Sequence, residues 1–161
     1  MKNKKYRIEK DSMGEMKVPH DALYGAQTQR AIENFPISNI QFNRDFINAV
    51  VLIKRSASIV NEKLGILDSS KKNAIVDACD QILQDKLNNQ FPIDIFQTGS
   101  GTSTNMNVNE VVSKIATNNS KIKIHPNDDV NLGQSSNDTI PTAINISLCL
   151  KIKNNLIPHL D

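Results

Sequence analysis

The sequence predicts an all-α fold, built from a small N-terminal helical domain and the first long helix of a central helical bundle. Four segments carry apolar residues at spacings of three and four, which is the period of an amphipathic helix. Runs that alternate apolar and polar residues are scarce, so little β-structure is expected. The last of the four segments is apolar on several faces, a pattern typical of a helix inside a bundle.

The composition is that of an ordinary globular protein, and it argues against several classes of function. Of the 161 residues, 39% are hydrophobic and 22% are charged, with a net charge of +2. So small a charge argues against a nucleic-acid partner, and no run approaches the ~20 apolar residues that span a membrane. Cys79 and Cys149 lie far apart among apolar helical residues, which favours reduced thiols and a cytoplasmic location.

Residues 1 to 42 show no long periodic pattern. Gly14, Pro19, Gly25 and Pro36 divide this segment into short pieces. It is therefore expected to form short strands or turns, with room for one helical stretch.

Two helices are predicted next. The first starts after Asn43 and ends at Gly65, where glycine suits a C-terminal cap. Its apolar stripe consists of Phe46, Val50, Ile53, Ala57, Val60 and Leu64. The second has Asp68 as its candidate N-cap and ends before the polar Asn88. Its stripe consists of Ile75, Cys79, Ile82 and Lys86.

The third helix is expected to be shorter, and the fourth to be apolar on several sides. Val108, Val111, Val112 and Ile115 mark the buried side of the third. The fourth is expected to begin near Asp138, with Pro141 in its first turn, where a missing N–H costs little. Its apolar residues are Ile140, Ile144, Ile146, Leu148, Leu150 and Ile152.

These helices divide into two units, an N-terminal domain over residues 1–133 and the start of a bundle over residues 134–161. The fourth helix reaches Asp161 without a glycine cap and without a partner for its second face. We therefore expect the sequence to be the N-terminal portion of a longer protein. The isolated chain is expected to fold marginally, because apolar surface would stay exposed.

Three segments within about forty residues are rich in small polar side chains, and they are the candidate chemistry. They span residues 97–105, 125–131 and 134–138, and the first and third directly precede helices. Each taken alone is more simply a helix cap or a turn. Together they exceed what capping requires, and neutral donors at helix starts suit a small dicarboxylate better than a metal ion. The glycine loop has no dinucleotide fingerprint and no phosphate-loop lysine.

Five motifs in order resemble the class II fumarases of the fumarase/aspartase superfamily. They are Arg7 to Gly14 (RIEKDSMG), Leu23 to Arg30 (LYGAQTQR), Gln97 to Glu110 (QTGSGTSTNMNVNE), His125 to Asn131 (HPNDDVN) and Gln134 to Asp138 (QSSND). The resemblance implies reversible addition of water to fumarate to give malate, without metal or cofactor.

The family pattern assigns roles to residues of this chain. Those that match its substrate-binding residues are Ser100, Gly101, Thr102, Ser135, Ser136 and Asn137. Those that match its second anion site, away from the catalytic centre, are His125, Pro126, Asn127 and Asp128. An arginine that relatives place before this second site has no counterpart between Ala116 and Ile124.

The resemblance also implies that no catalytic acid or base lies in this chain. In the family these groups lie downstream, and each active site combines segments from three subunits of a homotetramer. Aspartate ammonia-lyases share the layout but tend to have a Gly-Gly-Ala-Gly-Thr loop, with Asn at position 125 and Thr at position 136. This sequence resembles the fumarases at all three places. A different hypothesis is a truncated, non-catalytic product that binds dicarboxylates weakly.

Overall fold

The all-α prediction is confirmed. The computed structural model describes residues 5–84 and 87–160. Lys86, which the sequence places on an apolar stripe, and Asp161 lie outside these ranges. No helix in the described part of the chain is long and apolar enough to cross a membrane.

Residues 5–42 contain a hairpin and one helix, as the turn residues indicate. Strand β1 (Tyr6–Asp11) pairs antiparallel with β2 (Gly14–Pro19). Helix α1 (Ala26–Asn34) follows. Its Arg30 donates two hydrogen bonds to the Asp11 carboxylate, at 3.0 and 2.8 Å, and so ties the helix to the hairpin.

Helix α2 (Arg44–Lys63) begins and ends as predicted, but its buried face differs from the predicted stripe. The Asn43 side chain caps it by accepting from the Phe46 N–H, and Gly65 follows the end with a φ of +74°. Val60 is 51% exposed and Leu64 is 68% exposed. The buried positions near that end are instead the polar residues Lys54, Ser58 and Asn61.

Helix α3 (Ser69–Gln84) buries the predicted residues Ile75, Cys79 and Ile82 against α2 and α4. The predicted N-cap is also confirmed, since the Asp68 carboxylate accepts a hydrogen bond of 2.7 Å from the Ser70 N–H. In α3 the apolar period therefore predicts correctly which of the described residues are buried.

Helix α4 (Thr102–Ser120) is longer than predicted. It has 19 residues, against 16 in α3, and it is buried on most of its circumference. Its predicted apolar residues are buried, but so are Asn105, Asn107 and Asn109. Because part of the buried side of α4 consists of asparagine side chains, the apolar period by itself predicts a helix that is too short.

A carboxylate on α4 holds the start of α1. Glu110 is buried and accepts hydrogen bonds from the N–H groups of Gly25, Gln27 and Thr28 at 2.9, 2.9 and 3.1 Å, and from the Thr28 hydroxyl at 2.6 Å. Negative charge is favourable at a helix N-terminus. A Cβ at Gly25 would lie 2.9 Å from Glu110 Oε1, so glycine is what allows this approach.

Helix α5 (Ser136–Lys151) starts two residues earlier than predicted. Ser135 is its N-cap, which places Pro141 at the sixth helical residue rather than in the first turn. One face packs on α2 and α4. Past Lys151 the backbone stays helical through a wide turn, Ile152–Leu156, into α6 (Ile157–Leu160). The large apolar side chains exposed along this stretch are Ile144, Leu148, Leu150, Ile152, Leu156, Ile157 and Leu160.

Candidate functional site

The first donor-rich loop is one tight turn, Gly99–Gly101, directly before α4. Ser100 (φ 59°) and Gly101 (φ 64°) both adopt the left-handed conformation, so two successive residues reverse the chain into the helix. For a serine this conformation costs roughly 1 kcal/mol, and such residues cluster at functional sites. The Ser100 side chain is exposed and bonds to no described residue, whereas Thr102 Oγ1 donates to the Gly99 carbonyl at 3.1 Å.

Hydrogen bonds to the first turn of α4 hold this loop at its base. The Thr104 N–H donates to Gln97 Oε1 at 2.8 Å, and the Ser103 N–H donates to Thr98 Oγ1 at 3.0 Å. Two of the N–H groups left free at a helix start are therefore satisfied by the loop itself. The exposed Ser100 is carried on a rigid turn.

The first loop lies against helix α5. A Cβ at Gly101 would approach Ile140 Cγ1 to 3.0 Å, so only glycine lets the two segments come this close. The contact brings the N-terminus of α4 next to the first turns of α5. Both helix starts carry partial positive charge, which favours an anion near either of them.

The third donor-rich segment forms the N-terminus of α5. Ser135 Oγ accepts from the Asn137 N–H at 3.2 Å and so caps the helix. Ser136 Oγ accepts from Asn105 Nδ2 at 3.0 Å. The Asn137 amide group is exposed and makes no hydrogen bond to the described residues. A ligand at this helix start could therefore bind Asn137 without displacing an internal partner.

The second candidate anion site is a single wide helical turn, Pro126–Val130, capped by His125. His125 Nδ1 accepts from the Asp128 N–H at 3.1 Å and lies 3.2 Å from the Asp128 carboxylate, which leaves Nε2 as the free nitrogen of the ring. Asp129 anchors the turn, because its carboxylate accepts from the His125 N–H at 2.7 Å and from Lys71 at 2.8 Å. His125, Asn127 and Asp128 remain exposed.

A cleft of about 410 Å³ joins this turn to the first loop. Thr102 and Asn127 both line it, together with Gln27 and the Asp11–Arg30 ion pair. The structure therefore brings one residue of each predicted site to the same cleft. Met13, Phe35 and Met106 supply its apolar wall.

Two polar residues are buried near the site: Lys54, which the sequence did not predict, and Asn105, which lies in the donor-rich segment 97–105 but was not predicted to bind a ligand. Lys54 of α2 donates to Asn131 Oδ1 at 2.8 Å and to Gln134 Oε1 at 2.9 Å. Asn105 of α4 donates to Asn131 Oδ1 at 3.2 Å as well as to Ser136. Both are fully buried. The sequence does contain a sign of both residues, because each stands at a helical position where the period predicts a buried apolar side chain.

Because Lys54 is buried, the free energy of unfolding of the protein depends on pH. Desolvation lowers the pKa of Lys54 to about 7, against a small opposing effect of Cys79. Because the pKa in the folded chain lies below the ordinary lysine value of 10.5, the unfolded chain holds the extra proton between about pH 7 and 10.5. Lys54 therefore makes stability rise with pH across this window, by up to about 1.4 kcal/mol per pH unit.

The expected result is that the parent chain gains stability relative to Lys54→Met as the pH rises from 7 to 9.5. Methionine has a similar length and does not titrate, so the difference isolates this lysine. Urea unfolding of both chains at several pH values measures it. Parallel curves for the two chains would show that Lys54 keeps its ordinary pKa.

Comparison with known proteins places the chain in a family. A model of the family described as Lyase matches residues 14–161. The chain is 54% identical over 156 residues to the fumarate hydratase class II of Xylella fastidiosa, covering 97% of this chain and 33% of that protein. It is 49% identical over 161 residues to that of Bacillus subtilis, covering 97% and 35%. The chain thus spans about a third of the length of these relatives.

Two solved structures of related proteins are similar in fold to this chain. A class II fumarase from Schistosoma mansoni superposes with a TM-score of 0.88 at 42% identity, over 92% of this chain and 33% of that one. A fumarate lyase:delta crystallin from Brucella melitensis superposes with a TM-score of 0.87 at 43% identity, over 92% and 36%. The resemblance to class II fumarases is confirmed, and the chain belongs to this lyase family.

Proposed function

We propose that the protein acts as a fumarate hydratase, adding water reversibly to fumarate to give (S)-malate in the tricarboxylic acid cycle. One observation carries the proposal: the donor-rich starts of α4 and α5 lie side by side where Gly101 packs on Ile140. Hydroxyl, amide and backbone N–H groups at helix starts are suited to carboxylates. The relatives that are about half identical to this chain are class II fumarate hydratases, which supports fumarate as the dicarboxylate.

The chemistry needs such donors. Removing a proton from the carbon beside a carboxylate builds negative charge on that carboxylate, so donors already aimed at it lower the barrier. We assign this role to Ser100, Gly101, Thr102, Ser135, Ser136 and Asn137. On the pattern of the family, we assign the catalytic acid and base, which must transfer protons at the reacting atoms, to parts of the protein outside this chain.

A second anion site is proposed at His125, Pro126, Asn127 and Asp128. The exposed His125 ring offers its Nε2 to a ligand, since Nδ1 already contacts Asp128. Asn127 shares the cleft with Thr102, which supports a route between the two sites. The segment before His125 lacks the arginine of relatives, so this site is expected to bind anions weakly.

Assembly as a homotetramer is part of the proposal. Residues 1–133 would form one domain and residues 134–161 would enter a central helical bundle shared between subunits. The exposed apolar side chains support this, since Leu148 is 54% exposed and Leu156 is 52% exposed.

A cytoplasmic location is also part of the proposal. Free thiols at Cys79 and Cys149 support a reducing cytoplasmic location.

The test is a chimera in which residues 1–161 replace the matching third of the Bacillus subtilis fumarate hydratase. If the proposal holds, the chimera converts malate to fumarate, which is followed by the ultraviolet absorbance of fumarate. The control is the Bacillus subtilis remainder without this chain, which should be inactive because it lacks both donor loops.

The other outcomes are informative. A folded tetrameric chimera without turnover would contradict the hydratase proposal, and calorimetric binding of malate by it would then favour the non-catalytic hypothesis. Release of ammonia from aspartate in place of malate turnover would favour an aspartate ammonia-lyase. Neither result is expected, given the serine at position 136 and the histidine at position 125.

A further inference from the structure

A buried lysine connects helix α2 to both candidate anion-binding segments. Lys54 is 0% exposed, and its Nζ donates to Asn131 Oδ1 at 2.8 Å and to Gln134 Oε1 at 2.9 Å. Asn131 follows the turn of the second anion site, and Gln134 precedes the serines of the substrate loop. One amine therefore holds the end of one segment and the beginning of the next.

The connection continues to a substrate-loop hydroxyl. Asn131 Oδ1 also accepts from Asn105 Nδ2 at 3.2 Å, and the same Nδ2 donates to Ser136 Oγ at 3.0 Å. Both hydrogens of the Asn105 amide nitrogen are thereby used, which fixes the orientation of the amide group. The shortest hydrogen-bonded path from Lys54 to Ser136 passes through Asn131 and Asn105.

Asn131 and Gln134 also bind each other and the backbone between them. Asn131 Nδ2 donates to the Gln134 carbonyl at 3.0 Å, and Gln134 Nε2 donates to the Val130 carbonyl at 2.9 Å. Their side-chain oxygens both point to Lys54. Without the amine, Gln134 Oε1 would lose its donor and Asn131 Oδ1 would keep only Asn105.

We propose that Lys54 is a positioning residue for substrate binding, which holds Ser136 in place through Asn131, Gln134 and Asn105. This inference rests on the proposed function of the serine loop. Burying an amine is costly compared with burying a methionine of similar length, so packing of α2 alone does not account for a lysine here. The amine has at least two N–H donors in either protonation state, so the two acceptors are satisfied in both.

The inference is tested by a double-mutant cycle in the chimera described above. Lys54→Met is expected to raise the KM for malate about tenfold, the equivalent of about 1.4 kcal/mol, with a smaller change in kcat. Lys54→Met is then combined with Ser136→Ala. If Lys54 acts through the Ser136 hydroxyl, its substitution has little further effect on KM once that hydroxyl is gone.

Two results would overturn the inference. One is an unchanged KM in Lys54→Met. The other is an equal increase in KM with and without Ser136, which is what a general loosening of the fold would produce. Gln134→Leu provides an independent variant, because Gln134 is only half-buried and its loss should leave the fold intact. It is expected to raise KM in the same Ser136-dependent way, and a KM equal to the parent value would contradict the inference.

Ser58→Ala is the matched control. Ser58 lies one helical turn beyond Lys54, is also buried, and donates only to the Arg55 carbonyl of its own helix. It should leave KM unchanged. Failure of the hydratase proposal remains distinguishable, because in that case the chimera without substitutions would already be inactive.

Discussion

In the chimera, Asn137→Ala is expected to lower kcat for malate turnover by about 100- to 1,000-fold, the usual effect of removing one donor to a developing anion. The Asn137 amide is exposed at the start of α5 and makes no hydrogen bond within the described residues, so no internal partner has to be given up to bind substrate. The backbone of Asn137 is fixed at the helix start, because Ser135 Oγ accepts from the Asn137 N–H.

The measurement is steady-state kinetics on the chimera and its variant. Asn118→Ala is the control, since Asn118 is an exposed asparagine near the opposite end of α4. It should leave kcat unchanged. A loss smaller than threefold in Asn137→Ala would show that this amide does not face the reacting carboxylate.

Glu110→Gln is expected to destabilise the protein by about 3 kcal/mol, the second large effect. The carboxylate accepts four hydrogen bonds, three of them from backbone N–H groups at the start of α1. Glutamine keeps one acceptor oxygen and turns an NH₂ group toward N–H donors, so buried donors lose their partners and the helix start loses a favourable charge.

Urea or thermal unfolding of the chimera and its variant measures this loss. Glu33→Gln is the control: Glu33 lies on α1, the helix whose start Glu110 binds, and it is exposed and accepts only from the Gln29 side chain. Its effect should stay within about 0.5 kcal/mol, as for most surface substitutions. Equal effects of the two substitutions would mean that the Glu110 contacts contribute little to stability.

Where apolar period and burial coincide, the sequence was a good guide. Ile75, Cys79 and Ile82 were placed correctly on the buried side of α3. The same reasoning failed in the second half of α2, where Val60 is exposed while Lys54 and Asn61 are buried. Predicting buried residues from the helical spacing of apolar residues assumes that the core is apolar. Here the core near the site is built from hydrogen-bonded polar groups.

The candidate site shows the same division. Its donor-rich loops stand out in the sequence because Ser, Thr and Asn cluster before helices. Sequence spacing could not show that Gly101 packs on Ile140, or that Asn105 bonds to Ser136, because these contacts join different segments. The assignment of Ser135 through Asn137 to substrate binding stays a prediction.

The sequence by itself determined the fold class, the family and the order of the polar motifs, because helical period and local motifs are read along one stretch of chain. Only the tertiary structure decided which polar groups share an environment. Lys54 and Gln134 are eighty residues apart, yet their side chains lie 2.9 Å from each other. Such a contact depends on how α2 and α5 pack, since a buried amine must find its acceptors wherever the fold brings them.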